Sequence, residues 1–311
     1  MVLAALGLTA ATPAAALGLG AEESPLQDWH DTARNRTVPV RLRLPRSPAP
    51  SPVVLISHGL GGSRDGLAYL GEALAEAGFV AVHLQHPGSD IELWRGAADP
   101  RVAFAAALLD VRNAAARLQD IPFALDELAR RNGAPGLLRG RLDLGRIAIA
   151  GHSFGAWTVG HVLGERLPVA AYSLDFPDRR LKAGIELSPI PPLGLAPAFA
   201  YSRISAPILY VTGTADYGLE GTTPEARTIP FRNTAAPGVL VMLHGAAHAS
   251  FAGEAAAGPR WNEVTYQPRT ARLCVLFLRA VLQQDAAARA LLLRGAALAE
   301  GDTIESKGFQ P

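Results

Sequence analysis

A single cysteine, Cys274, stands in the 311 residues, which excludes an intramolecular disulfide and a cluster of thiolate metal ligands. It falls in the apolar run Leu273 to Leu278, where a small buried hydrophobe is its expected role. Net charge is nearly absent too. Against 28 acidic residues stand 29 basic ones, leaving +1, so no electrostatic case exists for nucleic acid or an anionic membrane as partner. Of the basic residues only Lys182 and Lys307 are lysines, a bias towards arginine without functional weight. Long uncharged apolar stretches are missing beyond the start of the chain. Met1 to Leu17, broken by Pro13 and glycine, makes a poor transmembrane helix. Its Ala14-Ala15-Ala16 fits a small-x-small cleavage pattern, although no Lys or Arg precedes Arg34. Residues 1–20 are expected to be a signal peptide of a secreted or periplasmic protein; the alternative is a disordered Ala-rich tail on a cytoplasmic one.

What is present is ample core material, 49% hydrophobic and 18% charged, and a regular alternation of two patterns. Val38, Val40, Leu42 and Leu44 share one face of a half-buried strand. Short apolar runs at Val53–Ser57, Phe79–Leu84, Ile147–Ala150, Ala183–Leu187, Pro207–Thr212 and Val239–Leu243 suit strands buried on both faces. Helical spacing occupies Gly66–Ala77, with Gly78 as its stop, and residues 101–131, interrupted at Pro122. It returns after Ala156 and over Thr270–Gln284 and Ala286–Leu298, while Pro168–Arg180 reads as a surface excursion. Strands alternating with helices, without an internal repeat or a linker, predict one α/β domain over residues 25–300 with a mainly parallel sheet. Residues 301–311 read as a polar tail.

The stretch that organises this pattern is Gly151-His152-Ser153-Phe154-Gly155. It has the G-x-S-x-G form, a buried strand before it and a helix after it, the context of a nucleophile elbow. A serine on so tight a turn is strained, and side chains two residues either side of it would collide with the neighbouring strand and helix. A second glycine-rich turn, His58-Gly59-Leu60-Gly61-Gly62-Ser63, directly follows a strand. There the Leu60 N–H can join that of Phe154, the residue after the serine, to hold a developing oxyanion. A serine needs a base, and the base an acid to fix its tautomer. His248, in a small-residue loop after the last strand, is the expected base. His161 lies on the elbow helix, turned away from the cleft, and His244 ends a strand. Asp216, also after a strand, is the expected acid, ahead of Asp175, Asp178 and Glu186. Ligands of open parallel sheets sit at the carboxyl ends of the strands, where the Gly59 turn, Ser153, Asp216 and His248 should all converge.

Ser57-His-Gly-Leu-Gly61, Gly151-His-Ser-Phe-Gly155 and His248-Ala-Ser-Phe251, in that order, resemble segments of the platelet-activating-factor acetylhydrolases and of the bacterial dienelactone-hydrolase-like esterases. The resemblance runs from about Asp31 to about Leu282. It implies an α/β-hydrolase fold, a Ser-His-Asp hydrolase of carboxylic esters, oxyanion donors at Leu60 and Phe154, and no metal or organic cofactor. Two departures stand out. Where the acetylhydrolases carry their acid, after the strand matching Gly184 to Leu187, this chain has Ser188-Pro189, which moves the acid to Asp216. True dienelactone hydrolases use a cysteine nucleophile where Ser153 stands. The expected partner is a small-molecule or lipid-like ester. An acyltransferase, perhydrolase or lyase would keep the same three residues, whereas a binding protein on this scaffold would normally have lost one.

Overall fold

The computed structural model describes residues 21–309 except 96, 109, 170, 171, 175, 219, 220 and 254–264. The expected signal peptide and the candidate Asp175 therefore lie outside the described residues. The chain begins with three strands, β1 (Ala21–Glu23), β2 (Gln27–Asp31) and β3 (Arg36–Pro45), followed by β4 (Ser51–Ser57), α1 (Ala68–Glu76) and β5 (Val80–Leu84). Helices α2 (Pro100–Leu108) and α3 (Val111–Gly133) lead to β6 (Leu142–His152), α4 (Phe154–Leu163) and a small hairpin, β7 (Leu167–Val169) with β8 (Tyr172–Leu174). Then come β9 (Leu181–Leu187), α5 (Pro197–Ala200), β10 (Ile208–Ala215), α6 (Ile229–Asn233), β11 (Gly238–Ala247), α7 (Gln267–Leu282), α8 (Ala286–Leu293) and β12 (Thr303–Lys307).

Ten of these strands form one sheet in the order β1-β3-β5-β4-β6-β9-β10-β11-β12, with β2 also pairing β3. The six strands from β5 to β11 run parallel, and antiparallel strands flank them. Helices cover both faces, which is why the parallel strands are apolar throughout rather than alternating. Leu118, Ile121, Leu125 and Leu128 of α3 and Val159 of α4 pack on one face. Leu70 and Leu74 of α1, Leu273 and Phe277 of α7 and Leu292 of α8 pack on the other. This is an α/β-hydrolase-like architecture. No described helix is long and apolar enough to cross a membrane.

Val38, Val40, Leu42 and Leu44 are all fully buried on β3, as their alternation predicts. Two expectations need correction. The helical break comes not at Pro122, which lies inside α3, but before Val111, where the Asp110 carboxylate accepts from the Arg112 and Asn113 N–H groups at 2.9 and 3.2 Å. An N-cap with two accepted donors defines a start more firmly than one missing N–H defines an end, and burial of Ile121, Ala124 and Leu125 holds the proline turn helical. Residues 301–311 are not merely a tail. Thr303–Lys307 adds an antiparallel edge strand to β11, from Gly238↔Lys307 to Met242↔Thr303. The stretch expected as a surface excursion includes most of the β7–β8 hairpin, which begins one residue earlier at Leu167. The two lysines have opposite surroundings. Lys307 Nζ, half-buried, donates to the carbonyls of Phe231 and Thr234, whereas Lys182 donates to Arg179 O at 2.8 Å from an exposed position at the start of β9.

Candidate active site

Sheet register brings the strand ends together before any side chain is considered. Ser57 pairs with Gly151, so the His58 turn and the elbow leave adjacent strands side by side. Ala215 pairs with Ala247, so Asp216 and His248 start from paired positions. At the elbow Ser153 has φ 55° and ψ −116°, a left-handed conformation costly for a residue with a Cβ. Its N–H donates to Leu187 O at 2.9 Å. A Cβ on Gly155 would stand 2.0 Å from Ser57 O, and one on Gly151 would stand 2.3 Å from the Gly155 carbonyl carbon. Only glycine fits either place.

Ser153 Oγ lies 2.9 Å from His248 Nε2, and His248 Nδ1 lies 2.8 Å from Asp216 Oδ1. An ionised carboxylate only accepts, so Nδ1 carries the proton and Nε2 is left as a bare acceptor for the serine hydroxyl. Asp216 is fully buried. Burial raises its pKa, but the His248 hydrogen bond and the Arg227 charge outweigh that and hold the carboxyl below its usual range. Thr212 Oγ1 donates to its other oxygen at 2.9 Å.

Arg227, which the sequence gives no reason to single out, is also fully buried. Its Nε stands 2.8 Å from Asp216 Oδ1 and 2.8 Å from Asp216 O, and its Nη1 donates to Pro189 O at 3.0 Å. Its Nη2 is 3.2 Å from His248 Nδ1. Two donors cannot bond each other, so the imidazole proton that points at Asp216 excludes a hydrogen bond from the guanidinium. Arg227 is thus a charge beside the pair and a clamp on the aspartate. Beside the histidine, His152 Nε2 donates to His248 O at 3.0 Å, with the two rings 4.7 Å apart. Burial pulls the His152 pKa down to about 3.

The Leu60 turn is held from behind. Gly61 N donates to Ser89 O at 2.9 Å, and Trp94 Nε1 donates to Gly61 O at 2.7 Å. Arg117, fully buried in α3, donates to His58 O and, at 2.7 Å, to Thr158 Oγ1 on α4. Its guanidinium sits 4.7 Å from the centre of the Phe154 ring. One side chain therefore ties together both turns that carry the expected oxyanion donors. Among the described residues the Leu60 N–H has no backbone acceptor, and that of Phe154, first in α4, precedes any intrahelical one. Both residues line the same cleft as Ser153 and His248.

That cleft has a volume of about 990 Å³. Trp94, Trp157, Ile190, Pro191 and Leu193 wall it, while Phe199 stacks instead on Arg166 at 4.2 Å. His161 does not turn away as expected; it lines the cleft, because it follows Ser153 and Trp157 at helical spacing. His244 is exposed within β11, Glu186 is buried in β9, and Asp178 is paired with Arg180 at 2.6 Å. None of the three joins Ser153. Among the described residues no group of three His, Cys, Asp or Glu side chains is placed to hold a metal ion. No family model matches this chain, and no curated protein does. What bears on function is the site itself.

Proposed function

We propose that this protein is a serine hydrolase of carboxylic esters. The observation that carries the reading is the continuous hydrogen-bond line from Ser153 through His248 to Asp216, at 2.9 and 2.8 Å, opening on a cleft. Ser153 Oγ attacks the ester carbonyl as His248 Nε2 takes its proton. The carbonyl electrons move onto oxygen, where the Leu60 and Phe154 N–H groups receive them. Collapse of that intermediate expels the alcohol, which takes the proton from His248 and leaves an acyl-Ser153 ester. Water, deprotonated by His248, repeats the attack, and the acid departs with Ser153 restored. Asp216 keeps the imidazole in the required tautomer and stabilises its cation, and Arg227 and Thr212 hold Asp216 in place.

The likeness to the acetylhydrolase and dienelactone-hydrolase-like segments supports the same reading. Its test is hydrolysis of p-nitrophenyl esters of increasing acyl length by the protein and its Ser153→Ala variant. Turnover that depends on Ser153 is the expected result, and near-normal turnover in the variant overturns the mechanism.

A further inference from the structure

One arm of the cleft plays no part in the chemistry just described. From Ser153 it follows α4 past Trp157 to His161 and Glu165. Residues four apart on a helix share a face, and the Phe154, Trp157 and His161 rings step along this wall with centroids 5.0 and 4.1 Å apart. The far end is polar. The His161 and Glu165 side chains are 2% and 5% exposed.

His161 Nδ1 lies 2.8 Å from Trp157 O. A carbonyl can only accept, so Nδ1 holds the proton and Nε2 is a bare lone pair. Glu165 Oε2, 3.6 Å from that Nδ1, is beyond hydrogen-bond reach, and the proton is already committed. Among the described residues neither His161 Nε2 nor the Glu165 carboxyl has a hydrogen-bond partner. Polar atoms that line a cleft without a protein partner are open to one from a ligand. Burial and the neighbouring Glu186 push the Glu165 carboxyl well above its usual range, and burial lowers His161 to about 4, so the buried site favours the uncharged form of both groups. An acceptor near a carboxyl whose neutral form burial favours is complementary to a hydroxyl, which gives its proton to Nε2 and accepts one from Glu165. A methyl end satisfies neither group, and a carboxylate has no proton for Nε2.

We propose that this arm binds a hydroxyl at the far end of the acyl group, so that the preferred substrates are esters of ω-hydroxy acids. The inference rests on the esterase reading above. Eight residues of helix rise about 12 Å from Ser153 to His161, the reach of an extended acyl chain of about ten carbons.

The test is kcat/KM for p-nitrophenyl 10-hydroxydecanoate against p-nitrophenyl decanoate, taken as a ratio within each preparation so that loss of folded protein cancels. The wild type is expected to favour the hydroxy ester by about tenfold or more, as sites built around a substrate hydroxyl do. His161→Phe and Glu165→Met should bring the ratio towards one, while Glu165→Gln, whose amide both donates and accepts, should keep most of it. A wild-type ratio near or below one overturns the proposal and leaves the esterase reading intact. A high ratio unchanged in both apolar variants overturns the assignment to His161 and Glu165. Faster turnover of the matching ester with a terminal carboxylate overturns the choice of a hydroxyl. Failure of the wild type to cleave any of these esters, or acetate, brings down both readings.

Discussion

The molecule contains two Ser–His–Asp arrays with almost the same internal geometry. In one, Ser153, His248 and Asp216 are linked at 2.9 and 2.8 Å. In the other, Ser57 Oγ lies 3.0 Å from His86 Nε2, and His86 Nδ1 lies 3.0 Å from Asp120 Oδ2. The second array is fully buried. Arg117 donates to its serine oxygen at 2.9 Å, using a lone pair that a nucleophile needs, and Arg36 and Arg34 bind its aspartate. Ser57 sits in regular strand, without the strained elbow or the free N–H pair beside it. Distances alone therefore do not mark a nucleophile. Access, an unoccupied lone pair and nearby N–H groups without a backbone acceptor separate the two arrays, and the buried one braces the turn that carries Leu60.

The largest expected contrast is between the serines. Ser153→Ala should cut ester turnover by about a thousand-fold or more. Ser57→Ala should stay within about tenfold and cost about 1 kcal/mol of stability. A fluorophosphonate probe should label Ser153 alone, as read by mass spectrometry; labelling of Ser57 would erase the distinction. Next come the aspartates. Asp216→Asn should lower kcat by roughly a thousand-fold or more by favouring the wrong imidazole tautomer, and should also lower the melting temperature, because the fully buried Arg227 loses its counter-charge. Asp120→Asn should leave the Ser153 array in place and cost stability alone, about 3 kcal/mol or more, because Arg34 and Arg36 lose their buried counter-charge, which denaturant titration would read.

Arg227 sharpens the comparison from the side of the open array. Its charge helps hold Asp216 ionised, so Arg227→Gln should reduce kcat by about ten- to a hundred-fold and reduce it more at acid pH than at neutral. A uniform loss across pH would point to packing alone. The smallest effect concerns His86, which burial lowers from 6.5 to about 4. Between those pH values the unfolded chain binds a proton that the folded chain refuses, so stability should fall as pH falls through that window. His86→Gln should flatten the dependence of melting temperature on pH there.

Local pattern carried much of this architecture. The alternation of Val38, Val40, Leu42 and Leu44, the uninterrupted apolar strands and the glycines around Ser153 all express constraints that act over a few residues. The meeting of Ser153, Asp216 and His248 was legible because each directly follows a parallel strand and adjacent strands end at one edge; what they do there is the subject of the tests above. Arg117 and Arg227 were not legible, since a buried guanidinium looks like any surface arginine until its partners from distant strands are known. Pro122 misled because its cost is local while the burial that offsets it is tertiary. Thr303–Lys307 was read as tail because a short polar edge strand has little apolar signal of its own, and only its partner β11 supplies the pairing.

The scarcity of lysine has a practical side. Lys307 is half-buried and engaged with two carbonyls, whereas Lys182, bound only to the Arg179 carbonyl, is the exposed lysine amine. It stands at the entry to β9, the end of the sheet opposite to that from which Ser153, Asp216 and His248 emerge. Amine-directed coupling to a solid support would therefore, apart from the terminal amine, anchor each molecule by its base and leave the cleft facing the solution.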